Sequence, residues 1–333
     1  MMAREIVLAS RPAGLPAVQN FALAEVRLGA LADGAVRVRN RYLSTDPYMR
    51  GRMMDGPGYA APFGLGARIP GRAIGVVAES RAAGFAPGDT VRSMAGWCEA
   101  FDAAPGALEK IDTMGIEAHH FIGAAGVPGL SAYAGLTRIA RVKAGETVFI
   151  SAASGAVGGI ACQIAKMLGA RVIGSAGGPE KAAHLKRIGV DAAIDYKAEE
   201  DLPAALGRAA PEGIDVYFDN VGGPHLEAAI AHARPFGRIA VCGMISGYNA
   251  SAPLPGPRNL VQIVGKSLRI EGFLTANHMD LMPGFAAEMA GWIKAGRIVT
   301  RDTFHDGIEE APAAFISLFT GANFGKPIVR IGP

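Results

Sequence analysis

The chain is poor in cysteine and lacks any long block of like charge. Its 333 residues include three cysteines, Cys98, Cys162 and Cys242, which are far apart and form no CxxC pair. This spacing argues against a disulfide framework or a cysteine-rich zinc site and favours a reducing compartment. The 33 Lys and Arg residues are scattered among 30 Asp and Glu residues, so the charge does not indicate nucleic-acid binding.

A secretory signal is not indicated either, because Arg4 and Glu5 interrupt the apolar residues near the start. Half of the residues are hydrophobic, and the length is typical of about two domains, so we expect a globular protein. These features together predict a cytoplasmic location with neither a membrane nor a nucleic acid as partner.

An uncharged stretch of the length of a membrane span begins at Thr147. Its composition favours another structure. Thr147–Ser151 is β-branched and aromatic, as in a strand, whereas apolar residues from Val157 to Leu168 recur at helical spacing. Gly169 predicts the end of that helix, and Arg171–Ala176 the next strand. The stretch therefore predicts a βαβ unit.

The turn between this strand and helix contains a GxGxxG pattern, with Ala153 in the first glycine position. Gly155 would let the backbone approach a pyrophosphate, and Gly158 would let helix and strand pack closely. Amides at the helix N-terminus would bind the anion. Glycines near a turn are often only structural, but the flanking strand and helix favour a dinucleotide site.

The end of the second strand indicates which dinucleotide is bound. NAD enzymes place a carboxylate there for the ribose 2′-hydroxyl, whereas Gly174–Gly178 is uncharged. A 2′-phosphate would meet the Ser175 hydroxyl, free amides and Lys181, and no repelling carboxylate. NADPH is therefore the predicted cofactor, although Lys181 could also be an ordinary solvated helix residue.

Further apolar runs predict a doubly wound α/β fold with six parallel strands. Ligands of such sheets lie beyond the carboxyl ends of the strands, where Asn220, Gly243 and Ser246 fall. The four additional predicted strands are Asp191–Tyr196, Ile214–Gly223, Arg238–Met244 and Leu268–Leu274. We place this Rossmann domain at residues 124–296, and a smaller β-rich domain at residues 1–123 completed by 297–333.

Several motifs stand in a fixed order along nearly the whole chain: LSTDPYMRGRM at 43–53, AASGAVGG at 152–159, GSAGGPEKAAHLKRIGVDAAIDYK at 174–197, FDNVGG at 218–223, CGMISGYN at 242–249 and NFGKPIV at 323–329. With them the chain resembles the zinc-independent medium-chain dehydrogenase/reductases, in the group of prostaglandin, curcumin and alkenal double-bond reductases. The resemblance implies NADPH as cofactor, a GroES-like catalytic domain and a homodimer.

The resemblance also implies which residues bind the cofactor. The diphosphate would lie at the glycine turn, and the 2′-phosphate at Lys181 and Tyr196. Cys242 could instead be a small buried residue, Phe273 a core residue and Asn323 a turn former. The full predicted set is Gly155, Ala156, Val157, Gly158, Ser175, Lys181, Tyr196, Asn220, Cys242, Gly243, Ile245, Ser246, Tyr248, Phe273, Leu274, Thr275 and Asn323.

Zinc ligands of related alcohol dehydrogenases have no counterpart here. Asp46-Pro47-Tyr48 replaces their early cysteine, and Pro70–Gly75 replaces a Gly-His-Glu segment. His119 and His120 are the only paired histidines, and we interpret them as surface or helix-end residues. No metal is predicted.

Conjugate reduction of an α,β-unsaturated ketone or aldehyde suits a site that stabilises charge by hydrogen bonding. Tyr48 and Tyr59 are the candidate catalytic donors to the carbonyl oxygen, although either ring could be structural. Asp46 and Arg50 are interpreted as structural. Ala276 stands where mammalian prostaglandin reductases have a tyrosine, which argues against a prostaglandin-type assignment. A quinone oxidoreductase and a non-catalytic nucleotide-binding protein are the alternatives.

Overall fold

The structure is a computed structural model that describes every residue except Pro57, Tyr59, Pro253 and Pro333. The chain divides into two units. We call Met1–Ile122 with Asp302–Pro333 the strand-rich unit, and Gly123–Arg301 the doubly wound unit. The boundary between Arg301 and Asp302 lies a few residues beyond the one predicted from the sequence, which falls between residues 296 and 297.

The strands of the described residues are numbered in chain order. They are β1 (Met2–Leu8), β2 (Phe21–Arg27), β3 (Val36–Ser44), β4 (Ala73–Ser80), β5 (Thr90–Ser93), β6 (Ala100–Ala103), β7 (Leu108–Lys110), β8 (Thr147–Ile150), β9 (Arg171–Ala176), β10 (Ala192–Asp195), β11 (Ile214–Asp219), β12 (Ala233–Val241), β13 (Arg269–Gly272), β14 (Thr303–Asp306) and β15 (Pro327–Arg330).

The α-helices are α1 (Met49–Arg52), α2 (Val127–Ala134), α3 (Gly158–Met167), α4 (Pro179–Arg187), α5 (Leu202–Ala209), α6 (Gly223–His232), α7 (Gln262–Lys266), α8 (Met282–Lys294) and α9 (Ala311–Thr320). A π-helical turn, Gly135–Ile139, continues α2. Short 3-10 helices lie at Val18–Asn20, Pro105–Ala107, Ala118–Ile122, Ile245–Gly247, Thr275–Leu281 and Ile308–Glu310. In the described part of the chain, no helix has both the length and the apolarity needed to cross a membrane.

The strand-rich unit is built on a sheet with the strand order β14-β15-β3-β4-β5-β7, in which β6 also pairs with β3. Its neighbours are antiparallel except for β14 and β15. The fully buried Trp97 ring lies 5.8 Å from that of Phe21 and 5.9 Å from that of Phe315. Rings of this size contribute much of the apolar burial that holds such a core together.

The doubly wound unit contains a sheet with the order β10-β9-β8-β11-β12-β13, and every neighbouring pair is parallel. Helices connect successive strands, as parallel pairing requires. Phe149 on β8 stacks on Tyr217 of β11 with ring centroids 5.1 Å apart. After β8 the chain adds β9 and β10 on one side of the sheet, and after β11 it adds β12 and β13 on the other side. The direction of strand addition therefore reverses between β8 and β11. The predicted fold class is confirmed.

Two strand predictions need correction. β11 ends at Asp219 rather than at Gly223, because the Asp219 carboxylate accepts the amides of Val221 at 2.9 Å and Gly222 at 2.7 Å and turns the chain. β12 begins at Ala233 rather than at Arg238. It bulges on the way, since Ile214 pairs with Ala233 but Val216 pairs with Arg238. The alternation of apolar and polar residues does not predict the first part of β12, because a bulge interrupts the alternation of the two sheet faces along the strand.

Candidate active site

The glycine turn between β8 and α3 is tightly packed. A Cβ on Gly158 would lie 2.3 Å from the Ala152 carbonyl oxygen, far inside van der Waals contact. Ala152 itself has a φ of 46°. Among the described residues, no side chain caps the N-terminus of α3. The first backbone amides of α3 are therefore suited to bind an anion. Glycine is required at position 158 because the Ala152 backbone lies so close.

Beyond β9, basic and phenolic groups surround Gly177. A Cβ on this glycine would lie 2.9 Å from Lys197 Cε and 3.0 Å from the Tyr196 hydroxyl. Burial and the neighbouring charge of Lys197 lower the pKa of Lys181. Two ammonium groups that repel each other favour an anion between them. We call Gly177, Lys181, Tyr196 and Lys197 the basic corner.

The basic corner differs from the sequence prediction in two respects. Asp195, at the end of the neighbouring strand, brings a carboxylate there, and its Oδ1 accepts the Gly178 amide at 2.7 Å and the Lys197 amide at 3.1 Å. The Gly178 amide is therefore not free. Ser175 is fully buried, so its hydroxyl is enclosed in this structure, whereas the sequence prediction places it in contact with the 2′-phosphate.

A buried hydrogen-bond network lies where the strand order reverses. The Tyr217 hydroxyl donates to Asp219 Oδ1 at 2.6 Å and lies 2.9 Å from Ser151 Oγ. Ser151 in turn holds Asn220, whose backbone amide donates to Ser151 Oγ at 2.9 Å and whose Nδ2 donates to the Ser151 carbonyl at 2.7 Å. Two neighbouring strands thus position Asn220 at their carboxyl ends, the usual place for a ligand.

Burial controls the protonation of this network. It raises the pKa of Asp219, against the hydrogen bonds that the carboxylate accepts. It also raises the pKa of Tyr217 well above the ordinary value. Tyr217 therefore remains a donor at neutral pH, and its hydroxyl contributes to holding Asp219 in place.

The segment after β12 lies against the Asn220 turn. The Cys242 and Gly243 amides donate to the Asp219 carbonyl at 2.9 and 3.1 Å. Ser246 Oγ donates to the Val221 carbonyl at 2.6 Å, and a Cβ on Gly243 would lie 3.0 Å from the Tyr248 hydroxyl. The structure therefore brings together five predicted cofactor residues, namely Asn220, Cys242, Gly243, Ser246 and Tyr248. Ile245 is close as well, since its amide donates to the Asn220 carbonyl at 3.3 Å.

The predicted segment Phe273–Thr275 packs beside the same edge of the sheet. The Phe273 amide donates to the Val241 carbonyl at 3.3 Å, and its ring meets that of Phe218 edge-on at 6.3 Å. Thr275 Oγ1 lies 2.6 Å from Ser131 Oγ on α2. Leu274 is 46% exposed, so its side chain is accessible to a ligand.

Three predicted residues lie in the other unit or outside the described part. Asn323 belongs to the strand-rich unit, where its Nδ2 donates to the Gly325 carbonyl at 3.0 Å. Tyr48 precedes α1 and is half-buried against the apolar cluster that contains Met49 and Met53. Tyr59 lies outside the described residues.

The charged residues beside Tyr48 hold the strand-rich unit together. Asp46 Oδ1 lies 2.7 Å from Lys326 Nζ, and its Oδ2 accepts the Ser44 hydroxyl at 2.6 Å. Burial opposes ionisation of Asp46, but the charges of Lys326 and Arg72 lower its pKa. Arg50 donates to the Gly14 carbonyl at 2.8 Å. Both side chains bind local structure, as the structural interpretation of Asp46 and Arg50 expects.

Sequence reasoning missed Ser151, Tyr217, Asp219, Asp195, Lys197 and Ser131. Each is an ordinary strand, turn or helix residue in the sequence. The available indication was the position of Asp219 at a strand end directly before Asn220. Hydrogen-bond partners on different strands cannot be read from one chain pattern, because pairing brings them together only after folding.

The comparisons with known proteins agree with this architecture. Residues 4–111 match the family described as N-terminal domain of oxidoreductase, and residues 156–291 match the one described as zinc-binding dehydrogenase. The 2-alkenal reductase (NADP(+)-dependent) of Nicotiana tabacum is 42% identical over 334 residues, 98% of this chain and 97% of that protein.

Two bacterial proteins extend the comparison. The NADPH-dependent curcumin reductase of Escherichia coli is 39% identical over 335 residues, covering 98% of this chain and 96% of that protein. The crystal structure of CurA in complex with NADPH from Vibrio vulnificus matches with a TM-score of 0.92, 39% identity and 99% coverage of both chains. The chain belongs to the medium-chain dehydrogenase/reductases, in their zinc-independent group of curcumin, alkenal and prostaglandin reductases.

Proposed function

We propose that the protein reduces the C=C bond of α,β-unsaturated ketones or aldehydes with NADPH. The observation that carries the cofactor part of the proposal is the basic corner, because Lys181 and Lys197 lie there with the Tyr196 hydroxyl. Two ammonium groups and a phenol suit a 2′-phosphate rather than a neutral ribose. The relatives named as NADP-dependent alkenal and curcumin reductases support both the cofactor and the reaction class.

The doubly wound unit offers what the cofactor needs. The uncapped start of α3, at Ala156, Val157 and Gly158, would bind the diphosphate through backbone amides. Gly155, whose own amide donates to the Ala152 carbonyl at 2.9 Å, would let the backbone approach the diphosphate. Asn220, held by Ser151, would position the nicotinamide half. When bound, NADPH supplies the hydride that adds to the β-carbon of the substrate.

Side chains of the protein would stabilise the negative charge of the developing enolate by hydrogen bonding. We assign Tyr48 as the hydrogen-bond donor to the substrate carbonyl oxygen, with Tyr59 as the second candidate. A phenol donates without changing its charge, which suits an oxygen that gains negative charge during the reaction. We also propose that the protein works as a homodimer in the cytoplasm.

Substrate assays test the reaction class. Purified protein is given NADPH with an aryl enone, a 2-alkenal or a quinone, and cofactor oxidation is followed by absorbance while the product is analysed by mass spectrometry. We expect enones and enals to give saturated carbonyl compounds. Turnover of the quinone alone would indicate a quinone oxidoreductase, and no turnover of any compound would contradict an enzymatic role.

Replacing Tyr48 tests the assigned donor. Tyr48→Phe should lower kcat with the best enone by about 10²–10³-fold, the usual cost of losing one donor to a developing oxyanion. The KM for NADPH should change little, because the cofactor contacts that we propose lie elsewhere. Tyr42→Phe, on β3 of the same unit, is the matched control and should keep full kcat. Equal losses in both variants would assign Tyr48 a structural role.

A further inference from the structure

A second cluster of ligand-type side chains lies in the strand-rich unit. His119 and His120 belong to the 3-10 helix Ala118–Ile122, and Asp302 is the first residue of the returning segment. One ligand atom from each of the three residues lies within 4.8 Å of the others. His120 is 7% exposed, so of the two predicted locations, surface or helix end, the structure gives it the one in a short helix. The three residues share no role with the proposed active site.

Two buried polar atoms of this cluster make no hydrogen bond within the described part of the chain. His119 Nε2 lies 3.7 Å from Asp302 Oδ2, which is too long for a hydrogen bond. Among the described residues, neither the buried Asp302 Oδ2 nor the buried His120 Nδ1 has a hydrogen-bond partner. A buried polar atom without a partner destabilises the folded chain, so two of them in one cluster indicate a bound water or ion.

The protonation states of the cluster suit a cation. Burial lowers the pKa of His119 to about 4 and also lowers the pKa of His120, so both imidazoles are neutral at neutral pH and keep a lone pair. Burial raises the pKa of Asp302, which means that its negative charge is poorly compensated. Neutral imidazoles and a carboxylate are the ligands that zinc accepts.

The nearby cations have carboxylates of their own. Lys326 Nζ pairs with Asp46 at 2.7 Å, and Arg330 pairs with Asp306 at 2.6 Å. Asp302 Oδ1 accepts the backbone amide of Lys326 at 3.0 Å. The other carboxylate oxygen thus faces the two histidines. The separation of 3.7 Å between its Oδ2 and His119 Nε2 is close to the ~3.4 Å edge of a tetrahedron with zinc bonds of about 2.1 Å.

We propose that His119, His120 and Asp302 form a binding site for one divalent cation, with zinc as the preferred ion and water as the fourth ligand. The ion would join the 3-10 helix Ala118–Ile122 to Asp302, which are the places where the chain leaves and re-enters the strand-rich unit. Its role is structural. The site is separate from the positions at which zinc dehydrogenases bind their metal, where the sequence predicts no ligands.

Metal titration of the whole chain tests the site. The purified protein is freed of metal with a chelator and titrated with Zn²⁺ by calorimetry and with Co²⁺ by visible absorption. We expect one ion per chain, a tetrahedral Co²⁺ spectrum and a higher thermal midpoint with Zn²⁺. Enone reduction by the chelated protein should persist, so this result and the proposed reaction are judged separately.

Variants locate the ion. Asp302→Asn keeps the Oδ1 acceptor for the Lys326 amide but loses the anionic ligand, and His120→Gln removes one imidazole. Each should weaken Zn²⁺ binding at least about 100-fold, the upper end of what even outer-shell changes cost. His232→Gln, in the doubly wound unit, is the matched control and should bind normally.

Three outcomes would overturn the proposal. These are the absence of saturable binding to the wild-type protein, unchanged affinity in both Asp302→Asn and His120→Gln, and a Co²⁺ spectrum with thiolate bands, which would place the ion at cysteine. Because the first and third outcomes concern the wild-type protein, a variant that fails to fold does not remove the test.

Discussion

At the scale of single residues, the surroundings of Lys181 support its proposed role in binding the 2′-phosphate. The sequence places it at the start of a helix, where a solvated lysine is equally acceptable. In the folded chain, burial and Lys197 lower its pKa, and the Tyr196 hydroxyl lies at the same corner. Asp195 accepts two amides there. A half-buried lysine beside a second lysine suits an anionic ligand such as a phosphate, in agreement with the proposed cofactor site.

Lys181→Ala should therefore weaken the preference for NADPH over NADH. A charge-assisted hydrogen bond contributes about 1.5–3 kcal/mol, which corresponds to a rise of roughly 10–100-fold in the KM for NADPH. The KM for NADH should stay unchanged because NADH has no 2′-phosphate. Steady-state kinetics with both cofactors measure the effect. Lys186→Ala, an exposed position on the same helix α4, is the control and should alter neither KM.

At the scale of elements, the β8–turn–α3 unit combines a tight turn with a buried polar anchor. Gly158 starts the helix against the Ala152 carbonyl, and Ser151 fixes Asn220 from the neighbouring β11. Helix start and strand end are therefore positioned by different chain segments. The glycine pattern indicates the first part, whereas the second depends on pairing between residues of β8 and β11 that are 68 positions apart, as Val148 and Val216 are.

Two glycine substitutions separate packing from helix propensity. Gly158→Ala should destabilise the protein by about 1–3 kcal/mol, because its Cβ would lie 2.3 Å from the Ala152 oxygen and force the turn to move. NADPH binding should weaken with it. Gly159→Ala places its Cβ 3.5 Å from the Ala153 oxygen, an ordinary contact, and should be neutral or stabilising by up to about 1 kcal/mol.

Chemical denaturation and NADPH titration by fluorescence measure both glycine variants. Equal behaviour of Gly158→Ala and Gly159→Ala would show that the close approach to Ala152 does not limit the turn.

At the scale of the whole molecule, buried histidines couple stability to pH. His225 is 5% exposed on α6, stacks on Phe149 at 6.5 Å and meets Tyr196 edge-on at 5.1 Å. Burial lowers its pKa from 6.5 to about 4. Because the unfolded chain binds this proton more readily, the contribution of His225 to stability is complete above about pH 6.5 and is lost as the pH falls towards 4.

His225→Gln should flatten the pH dependence of stability. At one pKa unit per ~1.4 kcal/mol, the wild-type protein should lose on the order of 3 kcal/mol of unfolding free energy through His225 between pH 6.5 and 4. Urea denaturation across this range measures the slope for both proteins. If His225→Gln leaves the pH dependence of the unfolding free energy unchanged, the folded protein binds the protonated imidazole of His225 as readily as the unfolded chain does.

The sequence by itself determined the βαβ unit, the six-stranded doubly wound sheet and the glycine turn. Hydrophobic periodicity and turn residues are local, so a helix such as α3 or a strand such as β9 follows from neighbouring residues. Only the tertiary structure decided how distant residues meet. Pairing of β8 with β11 brings Ser151, Tyr217 and Asp219 into one hydrogen-bond network. The return of the chain to the strand-rich unit brings Asp302 beside His119 and His120. Burial then sets their protonation, and burial is a property of the folded chain alone.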